Sequence, residues 1–215
     1  MKIFLDTADV EAVRRAHATG LLDGVTTNPS KVAETGRKFT EVVKEIASIT
    51  PGPVSAEAMS ETAEEMIEEA RRISSIAPNV VVKIPMTVEG LKAIPVLEKE
   101  KNVKVNCTMT FSATQAFLAM KAGASFVTIV LSRLDAVASE SESLIYDAVT
   151  IRDNYGFNSQ LIAGSVKTQN HILACLRAGV DIATIPEALF FQMFKHPLTD
   201  AALEEFAKDW KKVPK

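Results

Sequence analysis

Short, β-rich apolar runs alternate with longer segments of helical period from one end of this chain to the other. The runs are Lys2–Thr7, Gly24–Asn28, Val54–Met59, Val80–Pro85, Val103–Met109, Phe126–Leu131, Gln160–Val166 and Asp181–Pro186. Eight strands in 215 residues leave about 27 residues per unit, the size of one βα module. The helical segments are clear. After Met59, the residues Ala63, Met66, Ile67, Ala70, Ile73 and Ala77 fall on one face, and Glu61, Glu64, Glu65, Glu68 and Glu69 fall mostly elsewhere. Two units echo each other: Lys121-Ala122-Gly123 and Arg177-Ala178-Gly179 each end a helix on a basic residue and a Gly stop, and a strand follows. Strict alternation requires parallel strands joined by right-handed crossovers. Eight such units favour closure into a (β/α)8 TIM barrel over an open doubly wound sheet. No linker or low-complexity stretch interrupts the pattern, so residues 1–215 read as one barrel domain.

Composition narrows the class. Lys and Arg number 24 against 27 Asp and Glu, a net charge of −3, which gives no electrostatic reason to expect nucleic acid or an anionic membrane as partner. Cys107 and Cys175 cannot build a disulfide framework, so a reducing, cytoplasmic setting is the simpler expectation. The apolar stretch before Asp6 is too short for a secretory signal, and no run approaches the roughly 20 residues that span a bilayer. His17, His171 and His196 are scattered and accompany no Cys cluster, so no metal site is expected. His171 and His196 fall on helices and take no assigned role.

One helix is surplus to the barrel. The segment Asp200–Trp210 follows the helix of the eighth unit (about Glu187–Lys195) and carries Leu203, Phe206, Ala207 and Trp210 along one stripe. That stripe must be buried on its own barrel or on a neighbouring subunit, and the sequence favours neither.

In a barrel of this type the chemistry sits at the C-terminal ends of the strands. The strands deliver Asp6, then Thr26 to Asn28, Glu57, Lys83, Asn106 with Thr108, Ser132-Arg133, and finally Ser165 with Lys167. Polar groups that interrupt apolar strands at one end must satisfy one another or meet a ligand. Lys83 stands out, in Val80-Val81-Val82-Lys83-Ile84-Pro85, because lysine is almost never fully buried without a partner or a task. Apolar surroundings favour the neutral amine, the form that attacks a carbonyl to make a Schiff base. The alternative is a lysine that snorkels out at a strand end and pairs with Glu57 or Asp6. Asp6 and Glu57 are the candidate proton carriers, or the counter-ions of that lysine. Arg133, Ser165 and Lys167 form a candidate anion site, since loops after the later strands are where barrels usually hold phosphate.

These residues resemble the short-form transaldolases, class I aldolases of the (β/α)8 fold that also include fructose-6-phosphate aldolase. The resemblance runs through Phe4-Leu5-Asp6-Thr7-Ala8, Gly24-Val25-Thr26-Thr27-Asn28-Pro29-Ser30, Ser55-Ala56-Glu57, Val82-Lys83-Ile84-Pro85-Met86-Thr87, Asn106-Cys107-Thr108, Arg133-Leu134-Asp135 and His196-Pro197-Leu198-Thr199-Asp200. It implies that Lys83 forms a Schiff base with a ketose phosphate and that a dihydroxyacetone unit passes to an acceptor aldehyde. Asp6 would handle the proton of the hydroxyl at the cleaved bond, and Glu57 with Thr108 would activate a proton-shuttling water. Thr26, Asn28 and Asn106 would line the donor's binding site, the asparagines on its hydroxyls; Arg133, Ser165 and Lys167 would hold its phosphate. No cofactor is implied. Members of the family are commonly pentamers or decamers in which the C-terminal helix packs on a neighbour.

The sixth run, Thr128-Ile129-Val130-Leu131-Ser132-Arg133, departs from the family pattern. Relatives usually show a Ser-Pro-Phe-like or Ala-Pro-Tyr-like stretch there, with a Gly or Asn before the Arg. Two later positions depart as well. Val130 replaces an active-site aromatic, Lys167 stands where transaldolases usually have Arg, and Ala136 replaces a frequent second Asp. These departures bear on the substrate more than on the chemistry, and leave room for a sulfonate in place of phosphate. Relatives that release free dihydroxyacetone carry Gln where Glu57 stands and Tyr where Val130 stands, so the pattern leans to transfer. Val166-Lys167-Thr168 is similar to the lysine motif of deoxyribose-phosphate aldolases, whose remaining signature is missing. A non-catalytic barrel that binds sugar phosphates is the alternative from another class.

Overall fold

The computed structural model describes residues 1–214. Its strands are β1 (Lys2–Asp6), β2 (Gly24–Thr26), β3 (Val54–Glu57), β4 (Val80–Pro85), β5 (Val105–Thr110), β6 (Phe126–Val130), β7 (Gln160–Gly164) and β8 (Ile182–Ile185). Each pairs in parallel with the next, and β8 closes onto β1, giving the expected (β/α)8 barrel. Around it lie α1 (Val10–His17), α2 (Pro29–Glu34), α3 (Phe39–Ile49), α4 (Ala63–Ser74), α5 (Val88–Leu97), α6 (Ala113–Lys121), α7 (Leu131–Asp135), α8 (Ser141–Tyr155), α9 (Gln169–Ala178), α10 (Glu187–Gln192) and α11 (Pro197–Trp210). None of the described helices is long and apolar enough to cross a membrane.

Strand period divides the apolar residues into two cores. Side chains that point outward from the barrel, such as Leu5, Val25, Ala56, Val82, Val105, Val127 and Leu161, pack with the inner faces of the helices. Phe4, Val81, Phe126, Ile162 and Ile182 point inward and form a small separate cluster. They sit near the N-terminal ends of their strands, so they plug the barrel from below. Gly24 makes room for the plug: a Cβ there would lie 2.7 Å from the Phe4 ring and 2.6 Å from the Pro53 carbonyl. Further along seven of the eight strands the inward residue is polar, namely Asp6, Thr26, Glu57, Lys83, Thr108, Thr128 and Thr184, while on β7 it is Gly164. The barrel is therefore apolar below and polar above.

Six of the eight βα junctions carry a side-chain cap. Asp9, Asn28, Thr62, Thr87, Ser112 and Thr168 each accept a backbone N–H of the following helix's first turn. Two boundaries differ from expectation. β6 stops at Val130 and Leu131 turns in as a buried anchor, so Ser132 and Arg133 ride on the short helix α7 and not on a strand end. The last helix begins at Pro197, three residues early, because Pro occupies its first turn and His196 Nδ1 accepts the Leu198 N–H at 3.2 Å. The surplus helix does not bury its stripe on its own barrel. Leu203, Phe206 and Trp210 are 62%, 67% and 76% exposed.

Candidate active site

The upper end of the barrel holds a cleft of about 480 Å³ whose wall includes Asp6, Thr26, Asn28, Glu57, Lys83, Thr108, Arg133, Ser165 and Lys167. Nine of the ten residues expected from the sequence thus share one cavity. The tenth, Asn106, is fully buried behind that wall. Its amide donates to Ser55 Oγ at 3.3 Å and accepts from Thr128 Oγ1 at 2.7 Å. A hollow of about 900 Å³ around Pro51, Asn79 and Lys104 lies at the opposite end of the barrel.

Register sets the central geometry. Lys83 on β4 lies beside Glu57 on β3 and Asn106 on β5. Lys83 Nζ donates to Glu57 Oε2 at 3.0 Å and to the Thr27 carbonyl at 3.2 Å. Both side chains are almost wholly buried, 11% and 6% exposed. The amine therefore points into the cleft wall with a carboxylate in contact, a proton acceptor within one step. The two alternatives left open for Lys83 meet here: it is buried, and it is paired with Glu57.

Asp6 crosses the mouth from β1. Burial pushes its carboxyl above the ordinary range; Lys83, Lys167 and Lys31 pull it back, as does a hydrogen bond from Thr26. An acid raised in this way holds a proton more readily than a surface aspartate does, which suits a group that takes and returns one. Asn28 has its carbonyl oxygen committed to the Lys31 N–H at 3.0 Å, so what it can offer a ligand is its NH2.

Irregular backbone shapes the rim. β5 shifts register between Cys107 and Thr110, and Met109 in that bulge has φ +60° and reaches the cleft. Ser165 has φ +56°, a left-handed conformation costly for any residue but Gly. Arg133 and Lys167 are exposed on this side of the mouth.

The sequence reading missed four residues. Lys31 lines the cleft on the β2 side, Thr128 and Thr184 lie on its inner wall, and His171 braces its rim. The two threonines were legible as inward polar positions of β6 and β8. Lys31 and His171 carried no pattern of their own.

The model of the Transaldolase/Fructose-6-phosphate aldolase family matches residues 3–215. The chain belongs to that family. Among its relatives is a probable transaldolase of Geobacter metallireducens, 52% identical over 215 residues, which are all of both chains. Another, of Aquifex aeolicus, is 52% identical over 214 residues, covering 100% of this chain and 98% of the other. The solved structure of thiamine phosphate pyrophosphorylase from Pyrococcus furiosus superimposes with a TM-score of 0.61 over 88% of this chain and 87% of that one. At 17% identity this likeness speaks for the fold alone.

Proposed function

We propose that this member of the transaldolase/fructose-6-phosphate aldolase family is a class I transaldolase, which moves a dihydroxyacetone unit from a ketose phosphate to an aldose phosphate. The observation that carries the reading is the buried Lys83–Glu57 contact at 3.0 Å on the wall of the mouth. In this reading the neutral Lys83 amine attacks the ketose carbonyl, and loss of water from the carbinolamine leaves a protonated imine. Glu57, with Thr108 orienting a water, moves the protons of that step. Asp6 then takes the proton of the C4 hydroxyl as the C3–C4 bond breaks, its electron pair flows into the iminium to give an enamine, and the aldose departs. An acceptor aldehyde enters, the steps reverse, and water releases the new ketose.

Thr26 and the NH2 of Asn28 serve the retained unit's hydroxyls. Asn106 serves it by fixing Thr128 and Ser55, since the resting structure keeps it behind the wall. Arg133, Ser165 and Lys167 read the terminal anion, which is phosphate in the preferred reading and a 6-sulfo sugar's sulfonate in the alternative. The exposed Leu203, Phe206 and Trp210 stripe of α11 supports assembly into a homo-oligomer. The resemblance makes it a pentamer or decamer, and the two unpaired cysteines suit a cytoplasmic setting.

Incubation with fructose 6-phosphate and borohydride, followed by peptide mapping, is expected to place a reduced adduct on Lys83. An adduct on Lys167, or none, overturns the Schiff-base reading. Transfer to an aldose phosphate is expected to outpace release of dihydroxyacetone, and the opposite ratio would assign the aldolase activity instead.

A further inference from the structure

The three groups read as the anion site come from two separate segments. Arg133 rides on α7 after β6, while Ser165 and Lys167 lie in the loop after β7. A guanidinium grips an oxyanion bidentately only when its partners stand in fixed relation to it. Something must therefore tie α7 to the β7 loop.

Two links do so. The Ser132 hydroxyl bonds the Ser165 carbonyl and lies 2.8 Å from the Ser165 hydroxyl. On the far side of Arg133, Asp135 Oδ2 lies 3.1 Å from His171 Nε2, and His171 Nδ1 accepts the backbone N–H of Lys167 at 3.3 Å. A backbone N–H can only donate, so Nδ1 carries the lone pair and the ring proton sits on Nε2, where it donates to Asp135. The imidazole is largely enclosed, 14% exposed, and is rooted in the first turn of α9, where the His171 N–H donates to the capping hydroxyl of Thr168 at 3.1 Å. A single ring thus joins the end of α7 to the backbone of Lys167. It also helps hold a loop whose Ser165 sits in a conformation it would not adopt unaided.

We propose that His171, with Asp135, is a positioning residue of the anion-binding rim, fixing Arg133 and Lys167 in mutual register for the substrate's terminal phosphate. The proposal rests on the reading of Arg133, Ser165 and Lys167 as the anion site. Without the ring only the Ser132–Ser165 link still ties the two segments, Lys167 and the end of α7 are held less tightly, and the cost of ordering them falls on substrate binding. The covalent step on Lys83, carried by β4, is untouched.

The test compares fructose 6-phosphate with uncharged fructose, each titrated for turnover and for borohydride trapping. His171→Ala is expected to raise the KM for fructose 6-phosphate about tenfold, with kcat and half-saturation by fructose within about twofold of wild type. Asp135→Ala should match it. Asp135→Asn should behave as wild type, because its carbonyl oxygen still accepts from Nε2. That pair supplies the same readout if the His171 variant folds poorly. A His171→Ala effect that falls equally on both sugars overturns the proposal, as does an Asp135→Asn variant as defective as Asp135→Ala. Arg133→Ala run alongside separates the two failures. If it raises the KM for the phosphate sugar alone and His171→Ala does not, only the brace is refuted; if it affects both sugars equally, the anion site itself is refuted and the brace with it.

Discussion

Replacing Lys83 by Met removes the ammonium and keeps the length and apolar stem of the side chain. Glu57 would then stand on the barrel wall at 6% exposure with the cation it pairs with gone. Breaking a buried ion pair from one side typically costs about 3–5 kcal/mol, because a charge stays desolvated. Here Glu57 lines an open cleft and water can reach it from there, so the lower end applies, about 3 kcal/mol. The Thr27 carbonyl also loses its donor. For a chain of this size about 3 kcal/mol corresponds to a fall in Tm of about 6–12 °C. Adding Glu57→Gln removes the stranded charge, and the double variant should regain about 2 kcal/mol or more. Urea unfolding of wild type, both single variants and the double, followed by circular dichroism, measures the coupling directly. The double variant should still fail to trap a ketose, since chemistry and stability part company there. A coupling energy near zero would refute the argument that the barrel desolvates this lysine.

Three further expectations follow from the same geometry. Lys31→Leu removes one of the cations that pull Asp6 back toward its ordinary range, so the acid limb of the kcat/KM profile should move to higher pH; an unchanged or lower limb would break the link between that limb and Asp6. Burial pushes the thiols of Cys107 and Cys175 up to about 12, so at pH 8 iodoacetamide should label neither until the protein is unfolded, and rapid native labelling would contradict the packing. Gly24→Ala drives a methyl into the Phe4 ring and the Pro53 carbonyl and should cost about 1–3 kcal/mol in urea unfolding, with wild-type stability showing that the plug can shift.

The barrel was legible because its units announce themselves as short β-rich apolar runs and, in six of the eight, again as a helix with a side-chain cap. The ends were harder. Leu131 continues an apolar run, and nothing local marks that its burial starts a helix; only the loss of pairing beyond Val130 and Gly164 ends β6 there. The site residues were legible where a polar side chain interrupted a strand, as with Lys83 and Glu57. Lys31 and His171 lie on helical turns, where charged and imidazole side chains are ordinary, so only the closed barrel reveals what they face. Asn106 shows the reverse case. Its strand position was right for the mouth, yet bonds to Ser55 and Thr128 keep it behind the wall, a choice of partner that spacing does not encode.

Much of the polar wall is paired before any substrate arrives. Thr26 and Thr184 hydroxyls meet at 2.6 Å, Thr27 donates to the Ser55 carbonyl at 2.8 Å, and Lys83 meets Glu57. A barrel can place such groups above an apolar plug only if each finds a partner, since an unpartnered one would cost about 1–3 kcal/mol. Folding therefore fixes these polar groups, and binding need not rebuild their contacts. The rim is organised differently: Arg133 and Lys167 are exposed, on a short helix and a loop, joined through serine and imidazole links. Substitution at Lys167 or Val130 can then change which substrate is held without disturbing the strands that carry the lysine.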